Sequence, residues 1–67
     1  MQTIRRVKWF SAERGYGFIS ADGQDYFVHL SAIQGEQKIL FEGDEVEFTA
    51  EETSKGLSAI NVTRVKN

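Results

Sequence analysis

Hydrophobic and polar positions along this chain alternate; they do not follow the period of a helix. No window of helical length carries apolar residues at a 3.6 spacing, and β-branched and aromatic residues are spread throughout. The pattern predicts five short strands. The first runs from Ile4 to Phe10 and ends at "SAERG"; the second runs from Tyr16 to Ser20 and enters the turn "ADGQD". The third covers Tyr26 to Leu30. A longer connection, "SAIQGEQKILFEGD", follows, with one helical turn expected around Ser31 to Ile33. Glu45 to Glu51 alternates cleanly, with Val46, Phe48 and Ala50 on one side and Glu45, Glu47, Thr49 and Glu51 on the other. "TSKG" then turns the chain into a last strand from Leu57 to Val65, in which Ile60 and Val62 are expected to share a face.

Five strands without a covering helix predict an all-β architecture in which the sheet curls on itself, one face buried and the other wet. The interior candidates are Val7, Ile19, Val28, Ile33, Val46, Phe48, Ile60 and Val62. Gly17 shares the inward parity of Ile19, where a missing side chain lets the strand bend sharply.

The same parity sends Tyr16 and Phe18 outward on the second strand, and Phe27 and His29 outward on the third. Nothing in the sequence supplies a second layer to cover them, and an exposed aromatic cluster on so small a domain marks a partner surface. Trp9 is less determined. A flat first strand with Val7 inward would bury it, unless it lies at the rim or a bulge near Lys8 re-aims it.

Composition narrows the partner. At 67 residues, 40% hydrophobic and 27% charged, the chain is expected to be one folded domain spanning 1–67. It has no cysteine, which excludes a disulfide framework and thiolate metal sites. With no apolar run near the roughly 20 residues a membrane span requires and no signal-peptide pattern, it is expected to be cytoplasmic and complete, with no membrane partner. The net charge of -2 argues against a general electrostatic grip on nucleic acid, but the charges are polarised. Arg5, Arg6, Lys8 and Arg14 lie in the first twenty residues, whereas Glu42, Asp44, Glu45, Glu47, Glu51 and Glu52 crowd a later stretch read as a solvated strand face.

Rings flanked by Lys8 and Arg14 suit unpaired bases, because stacking contributes about 1–3 kcal/mol per base with little regard to sequence. If about three phosphates are neutralised, the salt slope on a single strand should be about -2. A groove for an extended peptide is the competing use of such rings. Catalysis finds little support: one histidine, no cysteine, and no serine placed with an acid and a base. No cofactor is implied, and His29 lacks companions for a metal site.

The motifs in order resemble one family. "VKWFS" at Val7 to Ser11, "RGYGFI" at Arg14 to Ile19, "YFVHLSAI" at Tyr26 to Ile33, "GDEVEF" at Gly43 to Phe48 and "AINV" at Ala59 to Val62 are similar to those of bacterial cold-shock proteins. That resemblance implies a five-stranded antiparallel OB-fold barrel binding single-stranded RNA and single-stranded DNA as an RNA chaperone affecting translation or transcription termination. It implies a monomer, with a strand-exchanged dimer left open. Carried over by position, it implies a binding face of Lys8, Trp9, Tyr16, Phe18, Phe27 and His29, edged by Phe10, Ser11, Arg14, Asp25 and Lys55. Lys8, Arg14 and Lys55 would meet phosphates, and Asp25 would accept from a base edge.

The chain also departs from the family. Leu30 stands where an aromatic is common, and the loop after "QGE" is one residue shorter and reads Gln37-Lys38, with Lys38 offering a phosphate contact in place of a ring. Two stacking positions are thereby lost. Leu57 replaces a common proline, and Tyr26 occupies a usually aliphatic inward position, so its hydroxyl needs a partner or the rim. An RNA-recognition motif of the helix-and-sheet kind is disfavoured, since no segment reads as helix.

Overall fold

The computed structural model describes residues 5–36 and 38–65. Its elements are β1 (Arg6–Ser11), β2 (Tyr16–Ala21), β3 (Gln24–His29), a short 3₁₀ turn (Leu30–Ala32), β4 (Val46–Thr53) and β5 (Gly56–Arg64). Each expected strand is present, with ends moved by at most two residues. Leu30 leaves the third strand and opens the 3₁₀ turn instead. Ile4, expected to begin the first strand, lies outside the described residues.

The strands form one five-stranded sheet in the order β1-β2-β3-β5-β4. Consecutive pairs are antiparallel, while β3 meets β5 in parallel at Phe27 and Ser58. The sheet rolls round until its outer strands meet: Val46 N–H donates to Arg5 O at 2.9 Å and Val7 N–H to Asp44 O at 2.9 Å. This is the OB-fold arrangement expected of the family resemblance.

Turn chemistry fixes the hairpins. Asp22 and Gly23 both hold positive φ, 53° and 75°, the two-residue arrangement whose twist matches flanking strands. It aligns Ala21 with Gln24 and carries an unbroken register to Tyr16 opposite His29. In the second hairpin Thr53 pairs with Gly56, and Thr53 Oγ1 donates to Gly56 O at 2.9 Å.

The core comprises Val7, Ile19, Val28, Ile33, Leu40, Val46, Ala59 and Val62, with Phe10, Tyr26, Ala32 and Phe48 packed partly against it. Six of the eight expected interior residues are fully buried, and Phe48 is half-buried. Ile60 is the correction. Opposite the β4 step from Glu47 to Thr49, β5 runs from Thr63 to Ile60, one residue more than its partner strand, and Asn61 takes φ 52° there. This bulge resets the parity, so Ala59 and not Ile60 shares the inward side with Val62. On β4, Ala50 is exposed despite its inward parity with Val46. Leu40, unforeseen, is 2% exposed in the loop before β4, where it fills the core between outward Ile39 and Phe41.

Candidate nucleic-acid interface

Pairing across three strands assembles the surface. Trp9 aligns with Phe18, and Phe18 with Phe27; one step along, Ser11 aligns with Tyr16, and Tyr16 with His29. These residues share the outward side because β2 and β3 alternate without a break. Trp9 joins them through a register shift between Val7 and Trp9, where Lys8 is the extra residue. The shift reconciles a buried Val7 with an outward Trp9 that is 39% exposed.

The four rings form a closed circuit: Trp9–Tyr16 at 5.7 Å, Tyr16–Phe27 at 5.6 Å, Phe27–Phe18 at 5.8 Å and Phe18–Trp9 at 5.6 Å between centroids. Their planes are inclined to one another by 30° to 76°, so each ring supports its neighbours edgewise and keeps part of its own face open. This mutual support accounts for half-burial of Tyr16, Phe18 and Phe27 without any overlying layer.

Gly17 is what lets β1 lie so close beneath the rings. A Cβ there would collide with the Trp9 carbonyl oxygen and come within 2.6 Å of Phe10 Cα. Trp9's position therefore depends on a missing side chain in the neighbouring strand.

His29 ends the face. Its Nδ1 accepts from Ser31 N–H at 3.1 Å and lies 2.9 Å from Ser31 Oγ, which puts the proton of the neutral ring on Nε2. Ser11 Oγ accepts from Arg14 N–H at 3.2 Å, and Arg14 Nη1 donates to the Tyr16 hydroxyl at 3.5 Å, holding the guanidinium beside the rings. Leu30 is exposed beyond His29. Its N–H donates to Gly15 O at 2.9 Å, and its Cδ2 occupies the space where a Gly15 side chain would stand, 2.6 Å from that Cβ position.

A groove runs from Phe18 and Phe27 to the second hairpin, with Asp25, Lys55 and Leu57 in its walls. Asp25 Oδ2 is held by Lys8 Nζ at 3.0 Å in an exposed ion pair. Ser58 Oγ donates to Phe27 O at 3.3 Å and ties the groove wall to β3. Ser58 carried no sequence signal and Leu57 only its departure from a common proline, since the long-range contact between β3 and β5 is what brings them here.

Two expected site residues stand elsewhere. Phe10 pairs with Gly17, is half-buried and packs against the core, on the side of β1 away from Trp9. Lys38 donates from Nζ to Ile33 O at 2.9 Å, tying its loop back to the end of the 3₁₀ turn. Gln37 lies outside the described residues. Tyr26 packs on Phe48 with centroids 5.0 Å apart, and Arg5 caps the Phe48 ring at 5.0 Å. Its hydroxyl is not left buried without a partner, as no such side-chain atom exists among the described residues. No cluster of three or more potential metal ligands occurs among them either.

Comparison with known proteins agrees on one family. Residues 5–65 match the model described as the 'Cold-shock' DNA-binding domain. The major cold shock protein of Micrococcus luteus is 55% identical over 65 residues, covering 92% of this chain and 97% of that protein. The cold shock-like protein CspB of Yersinia pestis is 61% identical over 59 residues, 84% of each chain. Among solved structures, drosophila Unr CSD456 superposes with a TM-score of 0.72 at 22% identity, covering 97% of this chain and 27% of that one, a likeness of fold.

Proposed function

Starting from a chain that belongs to the cold-shock DNA-binding domain family, we propose that this protein binds single-stranded RNA and DNA by stacking unpaired bases on Trp9, Tyr16, Phe18, Phe27 and His29. The observation that carries this reading is the circuit of four partly open rings on the outer side of β1, β2 and β3. Each open ring face can receive a base at about 1–3 kcal/mol, and base pairs in a duplex hide the faces that would be received. The protein therefore favours strands that are already open and holds them so, which is the work of an RNA chaperone acting on translation or transcription termination. Arg14 and Lys55, at opposite edges of the surface, steer the phosphates. Catalysis plays no part in this reading, and the domain acts in the cytoplasm as a monomer.

Trp9 is its own reporter. Titration with a pyrimidine-rich strand of about seven bases should quench its fluorescence through stacking, and the matching duplex should quench far less. Absence of quenching by the single strand at tens of micromolar would overturn the reading. A proline-rich peptide that quenches where the oligonucleotide does not would favour the groove for extended peptides instead.

A further inference from the structure

Lys8 and Asp25 come from different strands, β1 and β3, and meet at 3.0 Å beside the rings with their side chains 54% and 48% exposed. The family resemblance implies two separate contacts, a phosphate on Lys8 and a base edge on Asp25. The geometry points to a different arrangement: we infer that the two act as one neutral unit, so that Asp25 cancels Lys8 as a phosphate contact and sets how much of the binding is electrostatic. The inference rests on the single-strand reading above.

The argument is one of charge. A phosphate that draws Lys8 away from Asp25 leaves a carboxylate uncompensated inside its own field. Like-charge repulsion between phosphate and Asp25 then offsets what the ammonium gains. Exposed pairs are weak enough to open, so the unit is no rigid lock. What decides is net charge, because counterions leave the nucleic acid in proportion to the phosphates a protein neutralises. A unit of zero net charge releases almost none. Arg14 and Lys55 have no carboxylate partner among the described residues, and Arg14 instead donates to the Tyr16 hydroxyl. The phosphate-neutralising set on this face is then two cations and not three, which lowers the expected single-strand slope of log affinity against log salt from about -2 to about -1.4.

The test is a salt series of anisotropy titrations with an end-labelled oligothymidylate, run on the intact protein and on Lys8→Ala, Asp25→Asn, the double variant and Arg14→Ala. The intact protein and the double variant, whose units both carry zero net charge, should share one slope, and Lys8→Ala, which leaves Asp25 unpaired, should be no steeper. Asp25→Asn should steepen it by about 0.7 by freeing Lys8, and Arg14→Ala should flatten it by about 0.7. A double-variant slope flatter than that of the intact protein by that amount, or an Asp25→Asn slope that does not steepen, overturns the inference. Failure of the intact protein to bind overturns the single-strand reading instead. The pair itself is then checked in the free protein by the carboxyl carbon resonance of Asp25. That signal should move in Lys8→Ala, and a stationary signal also overturns the inference.

Discussion

The two hairpins are built alike and present opposite surfaces. Each joins antiparallel strands through a two-residue turn and sends alternate side chains inward to one core. Outward, the β2–β3 hairpin shows Tyr16, Phe18, Phe27 and His29, whereas β4 shows Glu47, Glu51 and Glu52. The same backbone plan thus yields an aromatic face and an acidic one. The difference lies wholly in the residues that the pleat leaves to solvent. On the proposed reading it would also orient the ligand, since an anionic strand has one hospitable side.

Substitutions can break this comparison in decreasing order of effect. Ile19→Ala, beneath the ring-bearing face, removes a fully buried side chain and should cost about 2–5 kcal/mol of stability in chemical denaturation, with binding by the folded fraction little changed. Phe18→Ala and Phe27→Ala should each weaken oligonucleotide binding by about 1–3 kcal/mol in fluorescence titration. Their cost in stability should stay below that of Ile19→Ala; if Phe27→Ala unfolds the domain and leaves binding intact, the face is core and not platform. Asn61→Ala probes the other hairpin. Forcing an ordinary residue into the left-handed conformation at φ 52° should cost about 1–2 kcal/mol, read as a lowered denaturation midpoint with base stacking untouched. Smallest of all, Glu51→Gln on β4 should change stability by less than about 0.5 kcal/mol and bring a slight gain in affinity that vanishes at high salt.

The hairpins also differ in how far they can be read before folding. Alternation from Tyr16 to Ser20 and from Tyr26 to His29 gave each side chain its correct direction, because Asp22-Gly23 admits a single register. Alternation failed in β5, where Asn61 inserts a residue and exchanges Ile60 for Ala59 in the core. A left-handed asparagine looks like any other asparagine in a sequence. Leu40 escaped for another reason: it is buried by a loop folding over the core, and loops have no period to betray them. The site divides in the same way. The rings of β2 and β3 were legible from parity and Trp9 was not, while the pairs beside them, Asp25 with Lys8 and Ser58 with Phe27, depend on which strands become neighbours. Phe10 shows the limit of resemblance by position. Adjacent to Trp9 in the chain, it faces the opposite side of the sheet.

The extra residue in β1 makes position 8 a spacer as well as a charge. Val7 and Trp9 would point the same way in a regular pleat, so the bulged backbone at Lys8 is what gives the indole to solvent and not to the interior. Side-chain replacement at Lys8 leaves that phase intact. Excision of the residue would close the bulge and make Val7 and Trp9 consecutive positions of a regular pleat, so the indole would keep its place opposite Phe18.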